Sequence, residues 1–436
     1  MSRAAASATQ AHDPAAIATH AHPTGNPDGL DALRRRSLVT LVAGVGLGST
    51  GYIAAVTVAT IVAQELAGST TFAGLPGAMI VIGSASASVL LSALMVRRGR
   101  RMGLSTGYVV GAAGAFIAAL ALITGSFLVF LVGTALMGFA NAANQLSRYT
   151  AADMYPVSRR ASAIGTVVWG ATIGAILGPN MVPLVGTIAA AAGLPTLTGA
   201  YIALVLFVGL AALLTTVRLR PDPYQLADTS EPVVTRTGPA PSARALLARP
   251  TVAVSIVALI VGQFVMTLIM TMTPLHMVEH GHDIAVVGFV LSAHTFGMLA
   301  LSPVSGHLTD RIGSPRTILL GMSVLAVASI LSIAAPPDGG GVIFFAMFLL
   351  GFGWNLGFVA GSAMLAAGLE LAERTRLEGL TDSLIWSSAA VASLGSGLLV
   401  AYAGFAALGV IALGLVLIPT ALVLPRRSLL PAPRPR

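Results

Sequence analysis

The stretch SPVSGHLTDRIGSPR, residues 302–316, is a short polar island between two long apolar runs. Five of its residues form the pattern G-x-x-x-D-R-x-G-x-x-R: Gly306, Asp310, Arg311, Gly313 and Arg316. Small residues allow two helix ends to approach closely, while charged residues at a membrane face stay in water or pair with each other. The pattern therefore predicts a tight turn between two membrane-spanning helices.

A degenerate copy of this pattern lies about half a chain earlier. Serine replaces its first glycine and valine replaces its aspartate, and its residues are Ser92, Val96, Arg97, Gly99, Arg100 and Arg101. Because the aspartate is absent from this copy, we expect a weaker charge latch at the first turn than the full pattern would give.

The composition is that of an integral membrane protein. Of the 436 residues, 56% are hydrophobic and 9% are charged, and apolar runs of the length that crosses a bilayer recur along the chain. These runs lack the alternation of a β-barrel, so we expect an all-α protein with twelve transmembrane helices. The predicted spans are 38–63, 71–96, 103–124, 126–148, 161–188, 196–217, 251–278, 284–308, 316–335, 341–368, 378–402 and 404–424.

The arginines fall in alternate loops and in both tails, and the other loops contain none. This asymmetry follows the positive-inside rule and places both termini in the cytoplasm. The same distribution explains the net charge of +8 without nucleic-acid binding. The arginine-containing segments are 34–36, 97–101, 159–160, 218–249, 311–316, 374–376 and 426–436.

The spans divide the chain into two halves with a linker between them. We predict six-helix halves at 37–217 and 251–424, joined by a cytoplasmic linker at 218–250 that is rich in Pro and Arg. The flanking segments 1–36 and 425–436 are predicted to be cytoplasmic tails, and the first of them to be disordered. The chain contains no cysteine, which excludes disulfides and thiolate metal sites.

The two halves repeat each other in sequence. LMGFANAAN at 136–144 matches LLGFGWNLG at 349–357, and Arg159, Trp169 and Gly178 match Arg376, Trp386 and Gly395 at a constant offset. Together with the two loop patterns, these repeats resemble the major facilitator superfamily over nearly the whole chain. The resemblance implies two pseudo-symmetric halves that rock about a central substrate site, with the residues of the two loop patterns forming a cytoplasmic gate.

The predicted span 161–188 carries a second signature. Gly165, Gly174, Gly178 and Pro179 stand as G-x8-G-x3-G-P, which resembles the antiporter motif of drug and metabolite exporters in this superfamily. The family's following Gly-Gly is replaced here by Val-Pro. Small residues at this spacing also allow close helix packing, and the two interpretations can hold together.

A polar stripe marks the predicted span 126–148. Asn141, Asn144, Gln145 and Arg148 have the spacing i, i+3, i+4, i+7, which places them on one helix face. Polar groups that face lipid are costly, so we expect the stripe to line the substrate cavity. For Arg148 the alternative is snorkelling to the lipid headgroups. Further candidates for the cavity are Asn180, Gln263, His294, Trp354 and Asn355.

Asp382 is the candidate for proton coupling. It lies near the start of the predicted span 378–402, with Glu378 and Trp386 one turn to either side. An acid at this depth can bind and release a proton during transport. The alternative is a structural latch, in which Asp382 pairs with Arg148, Arg376 or a loop arginine.

Histidines crowd one loop on the side opposite the arginines. His276, His280 and His282 lie there with Glu279 and are weak candidates for metal ligands. A metal site of the enzymatic kind needs a third ligand held by a rigid scaffold, which this short loop does not supply. We therefore expect a solvated loop without a resident metal.

The sequence thus predicts a secondary active transporter of the plasma membrane, and its resemblance to the superfamily implies that it exports a small organic molecule in exchange for protons. Its expected partners are the lipid bilayer, the substrate and protons, and we expect a monomer without cofactors. An importer of a nutrient or metabolite would have the same fold. A membrane metalloenzyme and a non-transporting sensor are the remaining alternatives.

Overall fold

A computed structural model describes residues 27–69, 72, 74–227, 243–336, 340–367, 369 and 371–424. The predicted tail at 425–436, the first 26 residues and the linker residues 228–242 lie outside this part of the chain. The first half contains α1 (Pro27–Ala67), α2 (Leu75–Arg98), α3 (Arg100–Thr124), α4 (Phe127–Asp153), α5 (Val157–Ala191) and α6 (Thr198–Arg218). After the short α7 (Ala243–Leu247), the second half contains α8 (Pro250–Glu279), α9 (Ile284–Thr295), α10 (Ser302–Ile312), α11 (Ser314–Ala334), α12 (Gly340–Leu365), α13 (Leu371–Ala403) and α14 (Phe405–Val423).

The described residues form helices and no β-strand. Eleven of these helices are long and apolar enough to cross a membrane, and the number is twelve if α9 and α10 count as one bent span. The prediction of an all-α membrane protein is therefore confirmed. The buried apolar residues form two clusters, one mostly in the first half with Tyr108 and one mostly in the second half with Met322, and each includes a few residues of the other half.

The predicted span 284–308 is broken rather than continuous. α9 ends in a π-helical turn at Phe296–Ala300, and α10 departs from it at an angle of 42°. Pro303 in the first turn of α10 has no backbone N–H to donate. The side-chain amide of Asn355 in α12 donates to the Met298 carbonyl at 2.8 Å and to Ser302 Oγ at 2.6 Å. Asn355 thereby supplies hydrogen bonds at the bend, and we assign it to this structural role rather than to the substrate cavity.

α1 begins inside the segment that was predicted to be a disordered tail. It starts at Pro27, and proline is favoured at the first position of a helix. Asp28 stands in the first turn, where an acid interacts favourably with the helix dipole. Leu30 and Leu33 pack against the core of the first half, so apolar burial stabilises this extension of the helix.

The two loop patterns form equivalent turns. Gly99 between α2 and α3 has φ +91°, and Gly313 between α10 and α11 has φ +90°. This region of φ is open to glycine and disfavoured for other residues, which explains why both patterns have glycine there. The turns lie on the side of the bundle that also carries the α4–α5 turn and the linker, and we call this side the linker face.

The two halves are joined at the linker face. α13 packs on α2, and α10 packs on α5. A Cβ atom on Gly379 would collide with Ser92, and one on Gly165 would collide with the carbonyl of Ser302, so both helix pairs are in backbone contact. Among the described residues, the hydrogen bonds and ion pairs between the halves all lie at this side. Further along α13, side chains such as Leu394 are exposed.

Candidate functional site

Four charged residues join the halves at the linker face. This ion-pair cluster consists of Arg100 in α3, Asp153 in α4, and Arg374 and Glu378 in α13. Arg100 donates through Nε to Asp153 Oδ2 at 2.7 Å and through Nη2 to Glu378 Oε2 at 2.6 Å. Arg374 Nη2 donates to Asp153 Oδ1. All four side chains are buried, and their two positive and two negative charges cancel.

The cluster corrects the expectation of a weak latch at the first loop pattern. That expectation rested on Val96, which stands where the second pattern has an aspartate. The structure supplies the missing negative charge from elsewhere, through Asp153 of α4 and Glu378 of α13. The latch at this turn is therefore a four-charge network that does not include position 96.

A second ion pair lies one helical turn deeper. Arg148 Nη2 of α4 donates to Asp382 Oδ1 of α13 at 2.5 Å, and each residue is 1% exposed. Asp382 Oδ2 has no hydrogen-bond partner among the described residues. Because α13 begins at Leu371 and not at 378, Asp382 lies about 16 Å from the start of the helix. Arg148 pairs between the halves, so the alternative that it snorkels to the headgroups is wrong.

Both halves hold the Arg148 guanidinium. Its Nε donates to Ser362 Oγ at 3.2 Å, and its Nη1 donates to the carbonyl and the side-chain oxygen of Gln145 at 2.7 and 3.0 Å. Its Nη2 also donates to the Tyr149 hydroxyl at 3.0 Å, so that all five N–H donors are used. The guanidinium carbon lies 4.2 Å from the ring centre of Tyr149 and 4.3 Å from that of Phe358.

An aromatic stack continues from Arg148 into the second half. The rings of Phe358 and Trp354 in α12 are 4.4 Å apart at an interplanar angle of 18°. Trp354 Nε1 donates to Gln263 Oε1 in α8 at 3.0 Å. Gln263 and Trp354 are thus connected through Phe358 to the Arg148–Asp382 pair. Both were predicted from the sequence to line the substrate cavity.

Asp310 of the second loop pattern also bonds across the halves. Its carboxylate accepts hydrogen bonds from the backbone N–H of Ala161 at 3.0 Å and of Ser162 at 2.9 Å, near the start of α5. The positive end of the α5 dipole favours an acid at this place.

Of the other residues in the two patterns, Arg97 and Arg311 are exposed. The remaining arginines, Arg101 and Arg316, are half-buried.

The first linker residues pack against both halves. We call Asp222–Leu226 the linker strap; within it, Pro223 to Leu226 form a 3-10 turn. Asp222 accepts from the backbone N–H groups of Arg100 at 3.2 Å and Arg101 at 3.0 Å, and so caps α3. Burial raises the pKa of Asp222 above its usual value, and these N–H donors oppose that rise.

Tyr224 connects the linker strap to the second half. Its hydroxyl lies 2.7 Å from Thr375 Oγ1 in α13, and its ring lies 5.5 Å from the guanidinium of Arg100. Burial raises the pKa of Tyr224 to about 12, so its hydroxyl stays protonated in neutral water. The linker strap therefore covers the ion-pair cluster and contacts both halves.

Two members of the predicted polar stripe serve packing within the first half. Asn141 Nδ2 donates to Ser84 Oγ in α2 at 3.1 Å. Asn144 Oδ1 accepts from the Tyr108 hydroxyl in α3 at 2.9 Å, and its Nδ2 donates to Ser49 Oγ in α1 at 3.4 Å. These amides hold helices of one half together, and we assign them to packing instead of the cavity.

Two further candidates lie away from the ion pair. His294 is buried between α9 and α12, where Nδ1 is 3.0 Å from the Met347 carbonyl. Asn180 is exposed on the ridge of α5 that also presents Ile176 and Leu184, and it donates to the carbonyl of Ile176. Neither residue contacts Arg148 or Asp382.

The glycines of the antiporter-like motif lie at close helix contacts. Gly165 faces the Ser302 carbonyl of α10, whereas Gly174 and Gly178 face Ser49 and Ile53 of α1. The next residue in the motif, Pro179, lies inside the continuous helix α5. The packing interpretation of the motif therefore fits this structure, at one contact between the halves and two within the first half.

One histidine of the opposite face stacks on an aromatic ring. His276 stacks on Phe405 with ring centres 4.1 Å apart, and its ring centre is 4.3 Å from that of His280. Across the residues that the structure covers, no group of three or more His, Cys, Asp or Glu is arranged to hold a metal ion. His282 belongs to the same loop.

Several residues of the site were missed in the sequence. Asp153 had a signal, because it is the only acid between Glu65 and Asp222 and stands beside an arginine loop. An isolated acid near a membrane helix end usually has a specific partner. Tyr149 and Phe358 gave no signal, since aromatic residues at helical spacing look like ordinary core.

Comparison with known proteins identifies the family. The sequence model of the Major Facilitator Superfamily matches residues 38–286 and 254–436. This chain belongs to the major facilitator superfamily. The MFS-type transporter YdeG of Bacillus subtilis is 33% identical over 403 residues, which are 90% of this chain and 93% of that protein. The chain is therefore a membrane transporter and not an enzyme.

Two further proteins show how far the likeness extends. The riboflavin transporter RfnT of Brucella anthropi is 29% identical over 372 residues, covering 85% of this chain and 90% of that protein. The crystal structure of the human organic anion transporter MFSD10 superposes with a TM-score of 0.70 at 18% identity, over 89% of this chain and 99% of that one. At this identity, the similarity to MFSD10 shows a shared fold and nothing further.

Proposed function

We propose that this transporter exports a small organic molecule in exchange for protons, with Asp382 as the proton-binding group. The observation that carries the proposal is the buried Arg148–Asp382 pair between the two halves. Oδ1 of Asp382 pairs with Arg148 while Oδ2 has no partner among the described residues, so a proton can bind there without displacing a hydrogen bond. Protonation removes the negative charge that attracts Arg148 and weakens the contact between the halves.

The arginine asymmetry supports a direction for this switch. With the linker face in the cytoplasm of a cell, as the positive-inside rule favours, the joined linker face closes the cytoplasmic side. A proton that reaches Asp382 from outside then releases the halves at the cytoplasmic side. After opening, the proton leaves to the cytoplasm and the charged carboxylate attracts Arg148 again. This cycle moves protons inward and allows the substrate to move outward.

The energetics of this exchange are sufficient for export. One proton charge that crosses a membrane potential of 100 mV releases about 2.3 kcal/mol. At about 1.4 kcal/mol per tenfold ratio, this corresponds to roughly a fiftyfold gradient of a neutral substrate. We further propose that a single chain suffices in the plasma membrane, because both ion-pair layers lie within one chain.

We propose a substrate that is uncharged or weakly charged and aromatic. Gln145 bonds to Arg148 of the ion pair, and Gln263 and Trp354 bond to each other beyond Phe358, so amide and aromatic groups surround this region. The charged side chains in this region pair with each other, which leaves no net charge to attract an ion.

Inside-out vesicles with a respiration-driven proton gradient test this proposal. The gradient is followed by a quenched acridine dye while a panel of drugs and metabolites is added to wild type, Asp382→Asn and Glu65→Gln. Glu65 is an exposed acid at the opposite face and serves as the matched control. We expect dequenching by at least one compound in wild type and in Glu65→Gln, and none in Asp382→Asn. Dequenching of equal size in Asp382→Asn would contradict the role of Asp382.

A second candidate function is uptake of a planar heterocyclic nutrient such as a flavin. It is supported by the similarity to the riboflavin transporter RfnT, and the stacked Trp354 and Phe358 rings suit a flat substrate. Riboflavin therefore belongs in the panel, together with a measurement of its accumulation in intact cells. Accumulation in cells without dequenching in inside-out vesicles would favour uptake over export.

A further inference from the structure

A crevice of about 550 Å³ opens on the linker face between the start of α1 and the end of α6. It lies apart from the ion-pair cluster and from the Arg148–Asp382 pair. It contains three arginines and two aspartates, and its lining consists of Asp28, Asp31, Ala32, Arg35, Arg36, Val39 and Arg218.

The lining residues of α1 are ordered by polarity along the helix axis. Asp28, Asp31, Arg35 and Val39 are spaced by three or four residues, so they share one helix face. At 1.5 Å per residue, Arg35 lies about 6 Å and Asp31 about 12 Å from Val39 along the axis. The order from the helix start is therefore acid, base and apolar residue.

This order matches the layers of a membrane surface. Val39 is 60% exposed and Val217, beside Arg218 on α6, is 54% exposed, as expected of side chains in contact with acyl chains. The headgroup layer of each leaflet is about 5–8 Å thick beyond the hydrocarbon. Arg35 is therefore at headgroup depth when Val39 lies at the hydrocarbon boundary, and Asp31 lies about 4–7 Å beyond that layer, on its water side.

The arginines of the crevice are available to an external anion. Asp31 is 3.8 Å from Arg34, which lies outside the crevice lining. Arg35, Arg36 and Arg218 make no ion pair within the described part of the chain. Three cations beside an exposed apolar surface form a site for an anion that carries an apolar tail.

We propose that this crevice binds the headgroup of an anionic phospholipid of the phosphatidylglycerol class. Its phosphate accepts hydrogen bonds from Arg35, Arg36 and Arg218. The glycerol hydroxyls of the headgroup reach outward and donate to Asp31. The acyl chains lie along Val39 and the neighbouring exposed residues of α6.

Native mass spectrometry of the full-length protein with defined lipids tests the proposal. Binding of phosphatidylglycerol and of phosphatidylcholine is titrated for wild type, for Arg36→Gln/Arg218→Gln, and for Arg98→Gln/Arg159→Gln. Arg98 and Arg159 are exposed arginines elsewhere on the linker face, so the last variant loses the same charge outside the crevice. We expect the crevice variant to lose about 30-fold in affinity for phosphatidylglycerol, since each arginine near a membrane surface contributes about 1 kcal/mol.

The controls distinguish a phospholipid site from general electrostatic attraction and from a site for a free anion. We expect Arg98→Gln/Arg159→Gln to retain wild-type affinity, and millimolar inorganic phosphate to leave lipid binding unchanged. An equal loss in both double variants would show general electrostatic attraction and overturn the proposal. Competition by inorganic phosphate would show a site for the free anion and overturn it as well. Equal unfolding temperatures of wild type and both double variants in detergent verify that the variants are folded.

Discussion

At the scale of single residues, the Arg148–Asp382 pair has the properties of a switch. Burying two charges is costly, and their attraction in the interior about offsets that cost. In water the same two charges gain little from each other. We propose that the paired state and a separated, hydrated state are therefore close in free energy, so that neutralising one charge favours separation.

A double-mutant cycle tests this coupling in the purified protein. Asp382→Asn leaves the buried Arg148 charge uncompensated, so we expect a loss of about 3–5 kcal/mol in the free energy of unfolding. Arg148→Gln leaves the carboxylate in the same position and is expected to destabilise the protein as well. The double variant Arg148→Gln/Asp382→Asn removes both charges, and we expect it to recover most of the loss.

The measurement is chemical unfolding of each variant in detergent. A double variant whose loss equals the sum of the two single losses would mean that the residues act independently. That result would contradict the ion pair.

Some residues of this site could be predicted from the sequence and others could not. Arg148 and Asp382 were found because charged residues inside apolar runs are costly and conspicuous. Their partnership remained one of several alternatives, since α4 and α13 are distant in the chain. Phe358 and Ser362 could not be found, because an apolar ring and a small hydroxyl residue in a helix are indistinguishable from ordinary packing before the helices are placed.

At the scale of elements, the linker strap takes part in joining the halves. It caps α3 through Asp222 and reaches α13 through the Tyr224 hydroxyl. Separation of the halves at the linker face requires the hydrogen bond between Tyr224 and Thr375 to break. The linker strap therefore adds to the stability of the joined state.

Removal of one hydroxyl tests the linker strap. Tyr224→Phe loses the hydrogen bond to Thr375, which is worth about 1 kcal/mol, so we expect the ratio of joined to separated molecules to fall about fivefold. Spin labels at Arg98→Cys and Arg376→Cys report the distance across the linker face, and the chain has no native cysteine to interfere. Tyr155→Phe is the control, since the Tyr155 hydroxyl has no hydrogen bond among the described residues. Equal distance distributions in wild type and Tyr224→Phe would exclude this role.

The contact between α5 and α10 is tested by a larger side chain at Gly165. In Gly165→Leu the new side chain meets the backbone of Ser302, so we expect the joined state to lose about 1–3 kcal/mol and transport to fall. Gly209→Leu in α6 is the control, because a Cβ atom at Gly209 meets nothing within 4 Å. Both variants are compared for membrane insertion and for the same spin-label distance. An unchanged distance in Gly165→Leu would contradict the close packing of the halves.

Helices were predictable from hydropathy, whereas their interruptions were not. Apolar length gave the span near 284–308, but its bend depends on Asn355, which lies some 50 residues further along the chain. The start of α13 was placed at Glu378 because Arg374 and its charged neighbours look like loop residues in the sequence. In the structure their charges are buried in the ion-pair cluster, which makes a charged helix start stable.

At the scale of the whole molecule, charge is concentrated on one side. The linker face carries the ion-pair cluster, the Arg148–Asp382 pair and the Asp310 contact to α5, whereas the opposite ends of the halves lack such contacts among the described residues. The molecule is therefore joined at one side by interactions that protons can weaken. This asymmetry links the fold to the proposed exchange of protons for substrate.

Glu378 is the other titratable acid near Asp382, one turn earlier on α13 and paired with Arg100. Its neighbours in the cluster are Asp153 and Arg374, and Tyr149 faces Asp382 from α4. A response to acid must therefore be assigned by comparing Asp382→Asn with Glu378→Gln. We expect Glu378→Gln to favour separation but still to respond to acid through Asp382.

The most direct test of the central claim is the distance between labels at Arg98→Cys and Arg376→Cys in mildly acidic and in mildly alkaline buffer. We predict that wild type gains a longer-distance population on acidification, because protonated Asp382 releases Arg148. Asp382→Asn is predicted to show that population in both buffers, and Glu65→Gln to respond like wild type. If the wild-type distribution does not change with pH, or if Asp382→Asn responds as wild type does, protonation of Asp382 does not control the linker face.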